Sequence, residues 1–457
     1  MMTESQRAAL AEYAAVKGQC PARERLAALF DDGVYTETGS NLRAGENLAG
    51  VVTAYGYIGG TPAYAFSQDS TVMKGAVSLA HSAKICKMFE LAARNGVPVV
   101  GIYDSCGAFV EDGADALNAY SDILLSMGSL SGVVPMVSVI SGVCAGTMAM
   151  IASSADFSVI TEGAELYLDA SGNNASAESA AKSGAVSAYA KSDAEAMDTV
   201  RRYLSFMPQN NLSPLPEFEF DAPVSAAFDN AENAAESIAD AGSILEVYGE
   251  YGTASYTALC TVSGVTAGIA ATNKTKDKLT SADCSKIARF VRLCDAYSIP
   301  VITVADTEGF DLHGADMVRA GAALAGAYAE ASCAKIALVS GKACGMAYIA
   351  FAGRNVAADA VYALPEAVIA PMDPVSAAEF LYHDKLKGAD DLAAARAQIA
   401  KEYAENEGSA FAAAAKGAAD EVVTAENVRA AVASVLDVTA GKRLNKRLPK
   451  KHNILPL

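Results

Sequence analysis

From Lys84 onward, apolar residues first recur at helical spacing, at Ile85, Met88, Phe89 and Ala92, and then form an almost unbroken run from Val97 to Tyr103. A stripe of period 3.6 predicts a helix with one buried face, and a short apolar β-branched run predicts a strand covered on both sides. The order returns later: Ile287, Phe290, Val291 and Cys294 are spaced as a helix, and Ile299 to Ala305 read as a strand. In each region an intervening helix leads to a second strand, Val137 to Ile140 or Ile336 to Val339, then to Ser-Gly and a small-residue stretch that reads as the opening of a helix. Strand, crossover helix and strand, made twice, predict parallel sheets with helices packed on them.

The likeness extends to residue identity. Lys84, Ile85, Leu91, Pro98, Val99, Asp104 and Gly107 meet Lys286, Ile287, Leu293, Pro300, Val301, Asp306 and Gly309 at one offset of 202 positions, with Ser105 against Thr307. Further on, Ser141, Gly142 and Gly146 meet Ser340, Gly341 and Gly345 at an offset of 199, as a three-residue deletion would produce. The chain is an internal duplication. Residues 171–191 are rich in Ser, Ala, Asn and Gly, and 208–223 carry four prolines, so the boundary between copies is expected there. The expected domains are 1–215 and 216–457. Ala-rich stretches 393–403, 410–419 and 426–436 are expected to be docked helices closing the second.

Composition narrows the class. Of 457 residues, 52% are hydrophobic and 19% charged, with 36 glycines and no tryptophan, which suits large α/β cores with close backbone packing. A net charge of −18 argues against broad nucleic-acid binding. A local exception is the basic run Lys442, Arg443, Lys446, Arg447, Lys450, Lys451, His452, expected to be a solvated or subunit-contacting tail or a phosphate contact. Nine scattered cysteines without a CxxC pair point to a reducing compartment and no structural zinc. The polar start, Met1 to Arg7, has no signal-peptide core and no run is long enough to span a bilayer, so a cytoplasmic protein is expected.

Familiar catalytic spacings are missing. His81, His313, His383 and His452 make no HExxH, and there is neither a GxxxxGK[ST] loop nor a GxSxG elbow. His81 and His313 are each expected to be structural. What remains is backbone: 141–147 and 340–347 place small residues at a strand-to-helix junction, where unpaired N–H groups can stabilise an oxyanion. Finding this device twice suggests two carbonyl oxygens to be held. The strand ends Asp104-Ser105-Cys106-Gly107-Ala108 and Asp306-Thr307-Glu308-Gly309-Phe310 lie where parallel sheets bind ligands, with the aspartates expected to cap turns rather than carry protons. Glu111 and Glu308 are the other acid–base candidates.

These residues resemble a known family. Ala22-Arg23-Glu24-Arg25-Leu26, Phe66-Ser67-Gln68-Asp69 with Thr71-Val72, Asp104-Ser105 with Gly107-Ala108, Cys144-Ala145-Gly146, the run from Ala288 to Ala296, and the tail Lys450-Lys451-His452-Asn453-Ile454 are similar, in order, to biotin-dependent acyl-CoA carboxyltransferases. That group includes propionyl-CoA carboxylase β subunits and the α subunits of methylmalonyl-CoA and glutaconyl-CoA decarboxylases. The resemblance implies two tandem crotonase-like (ClpP/crotonase) α/β domains, CoA held by the first and biotin by the second, with an active site between domains of different subunits. Carried over, the N–H groups of Ala145 and Gly146 would hold an acyl-CoA enolate oxygen, and those of Met346 and Ala347 the biotin ureido oxygen. Gly75, Gly107, Ala108, Gly309 and Ile349 would line the substrate sites.

Departures are visible as well. Phe109 replaces an arginine, Glu308-Gly309-Phe310 replaces Pro-Gly-Phe, the stretch from Asp169 to Ser183 is truncated, Met346 stands for a glycine, and Ile349 occupies the position that helps choose acyl length. No biotinylation motif is present, since Val72-Met73-Lys74-Gly75 is a chance echo, so biotin is expected on a separate biotin carboxyl carrier protein. A biotin carboxylase or a sodium-pumping membrane decarboxylase subunit, a homo-oligomer of dimer or hexamer type, and a peripheral place on a membrane complex are the implied context. The alternatives are a CoA-thioester hydratase or thioesterase on the same fold, which needs a carboxylate near Gly146, and a non-catalytic assembly subunit.

Overall fold

The computed structural model describes residues 2–442 except 170, 172, 173, 224, 276, 312 and 315. The basic run after Lys442 and the tail at 450–454 lie outside the described residues. The chain divides into two units, Met1–Pro214 and Leu215–Leu457.

The first unit opens with helices α1 (Glu4–Ala15) and α2 (Pro21–Leu29), then strand β1 (Tyr35–Thr38), a hairpin of β2 (Arg43–Ala44) and β3 (Asn47–Leu48), and strands β4 (Val51–Ile58) and β5 (Thr61–Gln68). Helix α3 (Leu79–Asn95), β6 (Val99–Ser105), α4 (Asp115–Leu130), β7 (Met136–Ala145), α5 (Thr147–Ser153) and β8 (Phe157–Thr161) carry the expected crossovers. The unit ends with β9 (Glu165–Tyr167), α6 (Ala177–Lys182), β10 (Ala188–Ala190) and α7 (Asp193–Phe206). The sheet order is β1-β4-β5-β6-β7-β8-β10, with β9 on β7. The first two links are antiparallel and the rest parallel.

In the second unit α8 (Ala231–Ile238) and β11 (Leu245–Glu246) precede β12 (Tyr256–Val262), β13 (Val265–Ala271), α9 (Ser281–Ala296), β14 (Val301–Ala305), α10 (Met317–Glu330) and β15 (Lys335–Val339). Then come β16 (Lys342–Cys344), α11 (Met346–Ala352), β17 (Ala360–Ala363), β18 (Val368–Ala370), α12 (Pro374–Leu381), α13 (His383–Leu386), α14 (Leu392–Asn406), α15 (Ala410–Ala415), β19 (Glu421–Val422) and α16 (Ala425–Thr439). The order β11-β12-β13-β14-β15-β17-β19 has the same two antiparallel links followed by parallel ones. One difference is that the long β7 of the first unit is broken into β15 and β16 in the second, where β16 pairs with β18 as β7 pairs with β9.

Two sequence expectations are corrected. Residues 171–191 are not a linker: Ser176 caps α6 and β10 extends the sheet, because a small-residue stretch can dock as readily as it can dangle. The second Ala-rich helix, expected over 410–419, is shorter than its composition suggested, since α15 stops at Ala415 before Gly417 turns at φ +73°. No helix among the described residues is long and apolar enough to cross a membrane.

The matched lysines of the duplication are core residues. Helix α3 is capped by Ser78 and α9 by Thr280 with Asp283 in a reciprocal box, and each helix then turns its apolar face and one lysine inward. Lys84 donates to the Val51 carbonyl, and Lys286 donates to the carbonyls of Ser255 (2.8 Å) and Gly252 (3.3 Å). Each ammonium ties its helix to a backbone turn beside the antiparallel strands. Burial opposes the charged form and lowers both lysines to about 8. The folded value lies below the ordinary 10.5, so between pH 8 and 10.5 the unfolded chain binds more protons and this group's contribution to stability rises with pH. Lys286→Met is expected to lose about 1–3 kcal/mol at pH 7.5 through its orphaned carbonyls. The gap between wild type and variant should widen at pH 10 in urea titrations; a gap that is flat with pH would show that Lys286 is not charged and buried.

Candidate functional site

The two strand ends are built alike. In the first unit the Ser105 hydroxyl accepts the Gly107 N–H (3.2 Å), the Gly107 carbonyl accepts Val77 N–H (2.9 Å), and Phe109 N–H returns to the Val77 carbonyl (3.0 Å). In the second the Thr307 hydroxyl accepts Gly309 N–H (3.1 Å), Gly309 carbonyl accepts Leu279 N–H (3.0 Å), and Asp311 N–H returns to Leu279 (2.8 Å). Gly107 and Gly309 sit at φ +114° and +100°. Ala108 and Glu308 are left exposed at the rim, while Gly107 is buried. The hydroxyl–glycine pair explains why Ser105 and Thr307 match across the copies.

The aspartates preceding them are structural, but through contacts with distant segments and not as the turn caps expected, and they account for the Ser-Gly pairs. A Cβ on Gly142 would fall 2.3 Å from Asp104 Oδ1, and one on Gly341 2.2 Å from Asp306 Oδ1. Between β6 and β7 the register skips from Tyr103/Ile140 to Ser105/Cys144, so the backbone of Ser141-Gly142-Val143 wraps around the single Asp104. These glycines therefore make room for a carboxylate of the neighbouring strand, not for a ligand. Asp104 is further held by Ser70 Oγ (2.8 Å) and by Arg25 Nη1 (3.0 Å), whose Nη2 also donates to the Ser141 carbonyl (3.0 Å) and whose Nε reaches Asp193 (3.1 Å). One guanidinium thus joins α2, the ends of β6 and β7, and α7. In the second unit Asp306 takes Lys342 N–H (2.8 Å) and Asn273 Nδ2 (3.3 Å).

At the next step, β7 meets α5 and β16 meets α11 through Gly146 (φ +66°) and Gly345 (φ +55°). The expectation that Gly146 donates to a ligand is corrected: its N–H is given to the Tyr167 carbonyl at 2.9 Å, as Gly345 N–H is to Ala370. Ala145 is buried within β7, opposite Tyr167 in the β7–β9 ladder. The first N–H groups with no intrahelical acceptor are those of Thr147 and Met148 in the first unit and Met346 and Ala347 in the second. The 199-residue offset already equates these pairs, so the sequence carried the signal that Gly146 corresponds to Gly345 and not to Met346. Thr147, Met346 and Ile349 are exposed, whereas Met148 and Ala347 are buried beneath their own N–H groups.

The remaining candidates fall into place around these turns. Gly75 is buried, with the Asp104 carbonyl 2.1 Å from where its Cβ would be, so it makes room for the end of β6. Gln68 Oε1 accepts Asp104 N–H (3.1 Å), which leaves its Nε2 to donate to His81 Nε2 (3.1 Å) and puts the ring proton on Nδ1. Burial and the Lys84 charge lower His81 to about 3, so it stays neutral and structural. Cys144 is pushed well up by burial, out of nucleophilic range. Asp112 accepts Leu79 N–H (3.1 Å) at the start of α3, and Glu111 beside it is exposed. His313 is exposed next to Asp311, which accepts its N–H (3.1 Å). Arg23 grips Glu37 through Nε and Nη2 at 3.0 and 2.9 Å.

Comparison with known proteins places this frame. The carboxyl transferase domain family matches residues 14–455. The methylmalonyl-CoA decarboxylase subunit alpha of Propionigenium modestum is 33% identical over 96% of this chain and 94% of its own length. The methylmalonyl-CoA carboxyltransferase 12S subunit of Propionibacterium freudenreichii subsp. shermanii is 34% identical over 96% and 92%. The solved structure of transcarboxylase 12S, a hexamer with methylmalonyl-CoA and methylmalonic acid bound, is similar at a TM-score of 0.90 and 31% identity, covering 100% of this chain and 99% of that one. The tandem crotonase-like fold follows from that likeness. For the frame itself, Arg25→Met should cost about 3 kcal/mol by stranding two carboxylates and a carbonyl, and Gly142→Ala about 1–3 kcal/mol by overpacking. Thermal unfolding checks both, and a neutral Gly142→Ala would show that Asp104 does not fill that space.

Proposed function

Because the chain belongs to the carboxyl transferase domain family, we propose that it is the carboxyltransferase subunit of a biotin-dependent acyl-CoA carboxylase or decarboxylase, with one backbone oxyanion site in each unit. The carrying observation is the pair of matched turns, in which the glycine N–H is spent on a neighbouring strand and the two N–H groups after it are left to a ligand. Relatives named for methylmalonyl-CoA and propionyl-CoA support a short acyl-CoA as substrate.

In this assignment the first unit takes the thioester. Thr147 and Met148 N–H groups face the thioester oxygen, and the Gly107-Ala108 loop borders it. Negative charge grows on that oxygen whenever the α-carbon becomes carbanionic, whether the carboxyl group is being gained or lost. Donors that are already aligned stabilise that charge without reorganising. Neutral His81, the raised thiol of Cys144 and the engaged Asp104 fit a site whose chain supplies no side-chain acid or base.

The second unit takes biotin from a separate carrier protein. Its donor set suits the group: Met346 and Ala347 offer two N–H donors to the ureido oxygen, at a turn beside Lys342, whose charge is already paired with Glu308 and Asp373. When bound, biotin supplies the nitrogen that carries the carboxyl group. Gly309 would border the ring, and Ile349 is exposed one turn beyond Met346. A multi-subunit setting, with a biotin carboxylase or a membrane decarboxylase and a homo-oligomeric core, is supported by relatives that are themselves subunits and by the 12S hexamer.

The test is transfer of labelled carboxyl from methylmalonyl-CoA to free biotin. Biotin-dependent formation of propionyl-CoA is expected; release of free CoA instead would favour a thioesterase, and no turnover with intact CoA binding would favour an assembly role. Proline at the first helical position removes one N–H and little else, so Met346→Pro should fold normally and lose on the order of 10²–10³ in turnover. Undiminished turnover would remove Met346 from the oxyanion site.

A further inference from the structure

The copies differ most where they ought to be alike. Lys342 stands at the start of β16, where the first unit has Val143 at the 199 offset, and Glu308 stands in the strand-end loop, where the first unit has Cys106 at the 202 offset. Lys342 Nζ lies between Glu308 Oε2, at 2.8 Å, and the carboxylate of Asp373. Asp373 is also the cap of α12, accepting Val375 N–H (2.9 Å) and Ser376 N–H (3.4 Å). The Lys342 backbone belongs to the same junction: its N–H goes to Asp306 Oδ1 and its carbonyl accepts Thr307 N–H, both at 2.8 Å.

Three chain segments therefore converge on one residue. They are the loop after β14 (Asp306 to Glu308), the strand that leads into Gly345, and the β18–α12 connection. The last also touches Gly345 directly, because Ala370 accepts its N–H and the Pro371 carbonyl lies 3.0 Å from where its Cβ would be. The turn that presents Met346 and Ala347 N–H is held on both sides by segments that Lys342 fastens together.

An ammonium with two carboxylates on it has no positive field left for an anionic ligand, which rules out a receptor for phosphate or for a substrate carboxylate. Burial would lower Lys342, but the hydrogen bonds it donates to Asp373 and Glu308, with their charges, outweigh it and hold it above its ordinary value. It remains charged, and with side chains 23% and 36% exposed the Lys342–Asp373 pair is the better shielded arm, Glu308 being 58% exposed.

We propose that the Glu308–Lys342–Asp373 triad is a clamp found in the second unit and not the first, making Lys342 a positioning residue for the Met346–Ala347 turn and thereby for the ligand carbonyl bound there. Naming that ligand biotin rests on the function proposed above; the clamp itself does not. The first unit reaches a comparable end differently, through the Arg25 guanidinium on Asp104 and the Ser141 carbonyl.

The experiment compares wild type with Lys342→Met and Lys342→Arg in the full-length protein. In amide hydrogen exchange without any ligand, Lys342→Met is expected to raise deuterium uptake in peptides covering 306–311 and 370–376, with 104–109 unchanged as an internal control, and Lys342→Arg is expected to restore protection. In the free-biotin transfer assay, Lys342→Met should raise the KM for biotin about tenfold and leave the KM for acyl-CoA where it was. Unchanged uptake at 306–311 overturns the clamp. Raised uptake with equal changes in both KM values overturns its positioning role and makes Lys342 a general stability residue. If wild type shows no biotin-dependent transfer, the proposed function fails and the exchange arm still decides the clamp.

Discussion

A strand-end carboxylate packed against a glycine of the next strand is the contact on which both halves of this protein depend. Asp104 against Gly142 and Asp306 against Gly341 bring the ends of two parallel strands closer than side chains would allow. Ladder hydrogen bonding must then break, as the register skip in the first unit and the β15–β16 interruption in the second record. That break frees the following residues to pair with an extra short strand, β9 or β18. The glycine N–H is consumed by this pairing, and the helix that starts immediately afterwards begins with N–H groups that have no intrahelical acceptor. Remove the carboxylate–glycine fit and the geometry of the turn has no cause.

The two copies secure that fit with different charges. In the first unit Arg25 comes from α2, far back in the chain, and neutralises Asp104 from below while holding Asp193 on α7. In the second Asp306 is satisfied by a backbone N–H and an amide, and the cation lies instead above the turn, between Glu308 and Asp373. Neither arrangement leaves an uncompensated charge at the donors. A site of this kind acts through fixed dipoles, and it suits chemistry in which the substrate and its carboxyl carrier bring the reactive atoms.

The buried polar groups show how the same logic runs inward. Lys84 and Lys286 hold backbone carbonyls, and neutral His81 is locked by Gln68, itself locked by Asp104. Residues that look like chemistry in a list of titratable groups are here the fastenings of the frame. The Arg-rich segment at 22–26 is explained in the same way, with Arg23 spent on Glu37, Arg25 on Asp104, and Ala22 and Leu26 in the core.

By itself the sequence determined the duplication, the parallel α/β class, the order of crossovers and the residues around which both turns are built, because periodicity and a matched offset depend only on which residues follow one another. The aspartates before Ser or Thr and Gly read as local turn caps, whereas their role is set by the distant glycines and donors they meet. The match of Thr147 and Met148 with Met346 and Ala347 was implicit in the 199 offset. Tertiary structure alone decided that Gly75 and Gly142 make room for Asp104 of the neighbouring strand, that the Gly146 N–H is already spent, and that α6 and β10 form within 171–191. It also decided the partners of Arg25 and Lys342. Each of these depends on which distant backbone comes within 3 Å, and no pattern along a single chain records that.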